Sequence, residues 1–192
     1  MCIRDRLVAG LERTAKVRLL SGSGMFRLGG LAEHGLESIE MADGPHGLRQ
    51  QAQGGDHLGL TGSVPSTCFA TATTIGSAWD AELAERIGGA LGEEALDQGV
   101  AVVLGPGLNI KRHPAGGRSF EYLSEDPLLS GKLAAAMVRG IQAHGVGASV
   151  KHYAANNQES HRLVVDAVVD ERTLREIYLA GFEIAVTESA PW

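Results

Sequence analysis

The sequence predicts an α/β fold with parallel strands, and three observations carry that expectation. Continuous apolar runs rich in β-branched residues, such as "VAVVLGP" (100–106), alternate with stretches whose apolar residues fall at helical spacing. The connections between them are short, which makes sequential strands parallel neighbours in one sheet. The composition, 44% hydrophobic and 21% charged over 192 residues, supports one sizeable core.

The elements follow in order. The first six residues, "MCIRDR", mix charges without periodicity and read as a non-native or disordered leader, which leaves 7–192 as the folded domain. Residues 7–20 place apolar groups at helical spacing and stop at "SGSG". "LESIEMADGPHG" (36–47) is a strand that breaks at Asp43-Gly44-Pro45. Leu83, Ile87, Leu91 and Ala95 lie four apart in a helix over 80–98, with Asp80 as N-cap and Gly99 just past its end. "VAVVLGP" is the next strand, buried on both faces. Asp126-Pro127 opens a helix that Gly145 closes, and "VGASVKHYA" (146–154) is a third strand. A last helix over 170–188 turns Leu174, Ile177, Tyr178, Phe182 and Ile184–Val186 inward.

This alternation fits an open doubly wound sheet or a (β/α) barrel. Three strands end in polar clusters, "ADGPHGLR", "GPGLNIKRHPAGGRSFE" and "KHYAANNQESHR", and parallel strands bring such ends to one face. In a barrel that face is where sites are built. The dinucleotide fingerprint of the rival fold fails, since Gly105-Pro106-Gly107-Leu108-Asn109-Ile110 lacks the third glycine. A complete barrel takes about 250 residues, so the expected fold is the N-terminal portion of an incomplete (β/α)8 TIM-type barrel.

Other classes are disfavoured. A net charge of −6 without a basic stripe argues against nucleic acid as a partner. No window approaches about 18 consecutive apolar residues, so no membrane partner is expected, and with no leader of secretory type a cytoplasmic location is. Cys2 and Cys68 read as free thiols. His46, His113, His152 and His161 match no familiar metal-ligand spacing, and Lys151 beside His152 would repel a cation; neither metal nor cofactor is expected.

The chemistry concentrates in the polar clusters. Asp43 ends its strand in a Gly/Pro turn, where its carboxylate can accept from two adjacent hydroxyls; the structural alternative is an Asx-turn. Arg118 follows two glycines and can donate to several oxygens at once, or pair with Glu121 or Glu125. Lys151 and His152 close a buried strand, where regular alternation would send them to opposite sides. Both suit hydroxyl oxygens.

Together the stretches "MADGPHGLRQQ", "GPGLNIKRHPAGGRSFEYLSEDPLLSG", "VKHYAANNQESHRLVVDAVVDERTLREIYLAGFE" and "AVTESAPW" resemble the catalytic barrel of glycoside hydrolase family 3, most closely its bacterial β-glucosidase branch. The resemblance implies that Asp43, Arg118, Lys151 and His152 line the subsite for the non-reducing-end sugar and that Arg162 is a further contact. It implies a small-molecule β-glucoside or oligosaccharide substrate. The hexosaminidase-type His-Phe-Pro-Gly-His-Gly continuation is replaced here by His152-Tyr153-Ala154-Ala155-Asn156. Family members use an aspartate nucleophile in a Ser-Asp-Trp-like motif and a later acid/base carboxylate, and neither motif occurs in these 192 residues.

Retaining hydrolysis needs two carboxyl groups about 5–5.5 Å apart. The expectation is therefore an intact protein that hydrolyses terminal β-D-glucosyl residues with retention, and a 192-residue piece that is inactive alone. A β-xylosidase, a non-catalytic carbohydrate-binding short product and a metal-dependent hydrolase are the alternatives.

Overall fold

Helix α4 (Ala81–Asp97) begins where Asp80 caps it, its carboxylate accepting from the Leu83 N–H at 3.0 Å, and ends before Gly99 at φ 70°. The computed structural model in which this is seen describes residues 3–51 and 62–192. Helix α5 (Pro127–Gln142) starts in the same manner: Asp126 Oδ1 accepts from Leu128 and Leu129, and Gly145 follows its end at φ 74°. Both caps satisfy orphan first-turn donors, as the sequence predicts.

The sheet has five strands in chain order, β1 (Gly22–Gly24), β2 (Arg27–Leu28), β3 (Ile39–Ala42), β4 (Val102–Val103) and β5 (Gly147–Ala148). β3, β4 and β5 are parallel, with Ala42, Val103 and Ala148 in register, so their carboxyl ends share one edge. β1, β2 and β3 are antiparallel. The sheet is thus mixed, which corrects the expectation of parallel strands alone. The "SGSG" stretch, expected only to stop a helix, forms β1 and turns through Met25-Phe26 into β2; a connection that short permits only antiparallel pairing.

Three helical expectations change in detail. The helix over 7–20 is divided into α1 (Ile3–Gly10) and α2 (Arg13–Leu19), with Glu12 extended between them. Gly10 is a weak helix former at the break, and the separation lets Leu11 pack with Ala15 and Leu31 in a small core of its own. A short helix α3 (Ala72–Ser77), unforeseen in the sequence, is capped by Thr71. The last helix is composite: α6 (Glu171–Thr173), a π-helical turn Leu174–Tyr178 and α7 (Ala180–Ser189). Tyr178, Phe182 and Ala185 are buried, but Val186 is exposed, because the π turn rotates the apolar stripe after residue 178.

The main core lies between the sheet and α4, α5 and α7. It joins Val103 and Ala148 of the sheet to Leu91, Leu133, Val138, Ile141, Phe182 and Ala185 of the helices. Residues 3–6 of the expected leader begin α1, and Cys2 lies outside the described residues. Cys68 is a free, exposed thiol. No helix among the described residues is long and apolar enough to cross a membrane.

Candidate functional site

The shared edge of β3, β4 and β5 carries the site. Asp43 follows buried Ala42 at the end of β3, and the loop beyond folds straight back so that Arg49 N–H donates to the Asp43 carbonyl at 2.7 Å. Glycine is required at position 44, where φ is 135° and a Cβ would sit 1.8 Å from the Gly47 carbonyl oxygen. The Gly44 N–H also donates to Asp43 Oδ1 at 3.0 Å, which fixes the carboxylate at the rim.

Lys151 and His152 come from beyond β5. Regular pairing ends at Ala148, so the period-two alternation no longer governs, and the peptide joining the two residues is cis. The backbone there is held by Asn109, buried in the loop after β4. Its side-chain amide donates to the His152 carbonyl at 2.9 Å and its oxygen accepts from the His152 N–H at 2.7 Å. Both side chains then face one cluster. Lys151 Nζ donates to Asp43 Oδ1 at 2.5 Å, and His152 Nε2 lies 2.7 Å from Arg118 Nη2.

Arg118 precedes a 3₁₀ turn over Ser119–Glu121, in which side chains three apart stack on one side. Its Nε donates to Glu121 Oε1, and its Nη1 lies 3.7 Å from Glu159. The second Glu121 oxygen is 3.8 Å from Lys151 Nζ. Of the two alternatives the sequence offers for Arg118, the pairing with Glu121 is present, and the guanidinium also reaches His152 and Glu159. Arg162 is the outlier of the five expected residues. More than half exposed, it pairs with Glu159 at 3.1 Å, so that Glu159 links it to Arg118 without placing it in the cluster.

Arg118 settles the state of His152. A guanidinium only donates, so Nε2 must be the acceptor and Nδ1 must carry the proton. Nδ1–H then donates to the Tyr122 hydroxyl at 3.1 Å, and that hydroxyl donates onward to the Asn156 carbonyl at 3.4 Å. Burial, with Arg118 and Lys151 alongside, pushes the imidazole down to about 4. Burial likewise raises the Tyr122 phenol to about 12, against the pull of Arg118. For Asp43 burial acts upward, but the hydrogen bond and charge of Lys151, the Gly44 N–H and Arg118 outweigh it and hold the carboxyl below its usual range. Near neutral pH the cluster thus presents an ionised acceptor, a neutral imidazole and two cations.

The sign of the acid response follows. An unfolded His152 takes up a proton near pH 6.5, whereas the folded one resists until about 4. Between those values the unfolded chain binds more protons, so stability falls as pH is lowered through that window. Asp43 adds its own loss only below its unfolded value of 3.8, as pH falls through its depressed folded value. We expect the melting temperature to drop from pH 6.5 to 4 more steeply in the wild type than in His152→Gln. Parallel slopes would contradict the neutral imidazole.

Two carboxylates, Asp43 and Glu121, face two cations, Lys151 and Arg118, so the cluster is formally neutral, and the Glu159–Arg162 pair beside it is balanced as well. Inward of it, a cavity of about 30 Å³ lined by Lys151, Glu121, Val103 and Met137 has room for about one water. Beside the cluster a groove of about 610 Å³ is lined by Arg112, Asn156, Asn157, Arg162, Asp166 and Tyr178. No set of three His, Cys, Asp or Glu side chains among the described residues is grouped to hold a metal.

Sequence reasoning missed Asn109 and Tyr122, whereas Glu159 belongs to the polar run after the third strand that it expects around a hydroxyl-rich ligand. Asn109 and Tyr122 both stand within the quoted motifs, but their partner His152 is 30 or more residues away.

Residues 47–191 match the N-terminal domain of glycosyl hydrolase family 3. The thermostable β-glucosidase B of Acetivibrio thermocellus is 50% identical over 187 residues, 97% of this chain and 25% of that protein. An exo-α-(1→6)-L-arabinopyranosidase of Bifidobacterium longum is 48% identical over 96% of this chain and 25% of its own length. Among solved structures, β-glucosidase 3B from Thermotoga neapolitana, in complex with α-D-glucose, superposes with a TM-score of 0.89 at 43% identity, covering 98% of this chain and 28% of that one. The chain spans about a quarter of the length of these relatives. It belongs to glycosyl hydrolase family 3, whose N-terminal domain is a TIM-barrel-like α/β fold with a mixed sheet.

Proposed function

We propose that the intact protein hydrolyses terminal, non-reducing β-D-glucosyl residues with retention of configuration. In this reading the 192 residues form the N-terminal portion of the (β/α)8 barrel and its sugar clamp, while the nucleophile and the acid/base come from elsewhere in the protein. One observation carries the reading: Asp43, Arg118, Lys151 and His152, from three separate loops, meet at the carboxyl edge of three parallel strands.

Each group has a task that fits a hydroxyl-rich ring. Ionised Asp43 only accepts, so it takes hydroxyl protons. Lys151 and Arg118 donate to hydroxyl oxygens, and neutral His152 keeps its Nε2 lone pair for Arg118 or for a hydroxyl. Arg162, tethered through Glu159, closes the clamp from the groove side. The balanced charge suits a neutral sugar and disfavours a uronate, which would leave an uncompensated carboxylate among Asp43, Glu121 and Glu159. Contacts that strengthen as the ring distorts toward an oxocarbenium-like state would convert this grip into rate.

The similarity to an arabinopyranosidase at 48% identity supports a second reading, in which an α-L-arabinopyranoside is the preferred substrate. The test is kcat/KM of the intact enzyme on p-nitrophenyl β-D-glucoside, β-D-xyloside and α-L-arabinopyranoside, with the anomer of the first-formed sugar read by proton NMR. We expect β-glucose first and a glucoside preference over the xyloside of about 10- to 200-fold, the value of one missing substituent in a fitted pocket. A preference for the arabinopyranoside would give the second reading the site, and a preference for the xyloside would make the enzyme a xylosidase.

A further inference from the structure

We propose that Glu121 is the positioning residue of the sugar clamp, a buried carboxylate that orients Arg118 and Lys151 together; the inference rests on the sugar-binding reading above. Exposure falls in layers through the cluster. The side chain of Asp43 is 40% exposed, those of Arg118 and Lys151 are 20% and 14%, and that of Glu121 is 3%. A carboxylate sealed this deeply is costly unless cations meet it. Both of its oxygens are so engaged, one by Arg118 Nε and the other facing Lys151 Nζ at 3.8 Å.

The geometry explains why the charge belongs there. Glu121 stands three residues after Arg118 on a 3₁₀ turn, whose backbone closes from Glu121 N–H to the Arg118 carbonyl at 3.1 Å, and this sets the carboxylate beneath the guanidinium. Taken by Nε, it leaves the two Nη groups turned toward His152 and Glu159. Without it, the acceptors left to Arg118 are His152 and the more exposed Glu159, and the guanidinium would swing outward. Lys151 would be left to Asp43 alone, tightening a pair that has to open for hydroxyls. Glu121 acts through these two cations and does not reach the ligand.

The test is a double-mutant cycle in the intact enzyme, read both as kcat/KM on an aryl β-glucoside and as Kd for glucose by calorimetry. Glu121→Gln keeps size and an acceptor but removes the charge. It is expected to lower kcat/KM about 100-fold, the scale of a ~1 Å misplacement of an orienting group. In an Arg118→Ala, Lys151→Ala background the same change should cost less than about 3-fold, because its targets are gone. Should the glutamine variant melt early, Glu121→Asp, which keeps the charge but withdraws it by one methylene, should show the same dependence on background. Equal losses in both backgrounds, or unchanged kinetics and Kd, would overturn the proposal. A wild type that binds glucose but cleaves no β-glucoside would overturn the activity reading alone and leave the cycle legible in Kd. One that neither binds nor cleaves would overturn both.

Discussion

Asp43→Ala in the intact enzyme is expected to lower kcat/KM for aryl β-glucosides by about 10²- to 10⁴-fold. The estimate is built from the chemistry of the carboxylate. Hydrogen bonds to a charged group contribute about 1.5–3 kcal/mol each, and two hydroxyls on one carboxylate give about 3–6 kcal/mol, which at about 1.4 kcal/mol per decade is that range. The substitution also takes from Lys151 its nearest acceptor, at 2.5 Å, and leaves the ammonium with Glu121 at 3.8 Å. Asp43→Asn separates these effects. It keeps the shape and one acceptor but loses the charge that holds Lys151, so it should fall between alanine and wild type. A change of less than about 3-fold in both variants would remove Asp43 from the site, and with it the sugar-clamp account. The melting temperature near neutral pH should move little, because the carboxylate is partly exposed and its pair with Lys151 is a rim contact.

Much of this site was legible before any coordinates, for a reason that particular residues make plain. Parallel strands bring the polar clusters past their carboxyl ends to one edge, so strand direction alone sets Asp43 and Lys151 on the same face. The caps at Asp80 and Asp126 were equally local, since a capping carboxylate bonds to a residue two or three positions ahead. What stayed hidden depended on distant partners. Asn109 gains its meaning from the backbone of His152, 43 residues away, and Tyr122 from a ring nitrogen 30 away. The antiparallel β1–β2 pair escaped because its residues, two glycines and a serine followed by a two-residue turn, carry no alternation to read. Val186 was misplaced because a single π turn shifts helical phase, and phase is all that a periodicity argument possesses. Arg162, carried by resemblance alone, is the residue whose position agrees least with the other four.

The fold beneath the site rests on how closely α4 and α5 approach, and Gly140→Ala should therefore be among the most damaging single-methyl additions in the chain. A Cβ at position 140 would lie 2.1 Å from the Glu85 carbonyl oxygen and 2.6 Å from the Gly89 nitrogen, both of them backbone atoms that cannot turn aside. The facing surface is made the same way: a Cβ at Gly88 would meet the Met137 carbonyl oxygen at 2.3 Å. Relief requires the two helices to move apart, and the layer that moves includes Leu91, Leu133, Val138 and Ile141 of the main core. Overpacking of this kind costs about 1–3 kcal/mol where side chains can yield and more where only backbone is met, so a loss above about 3 kcal/mol is expected. Gly89→Ala, on the facing helix α4, is the matched control. Its Cβ would find only the His144 ring, at 3.8 Å, which is ordinary contact, and replacing a mid-helix glycine by alanine gains up to about 1 kcal/mol of helix propensity. Thermal or urea unfolding of the intact protein should therefore show the two alanines moving stability in opposite directions, although the residues face each other across the interface. If Gly140→Ala melted with the wild type, the close crossing of α4 and α5 would be the wrong basis for the rigidity of the β4 and β5 ends, and Lys151 and Arg118 would have to owe their placement to the loops alone.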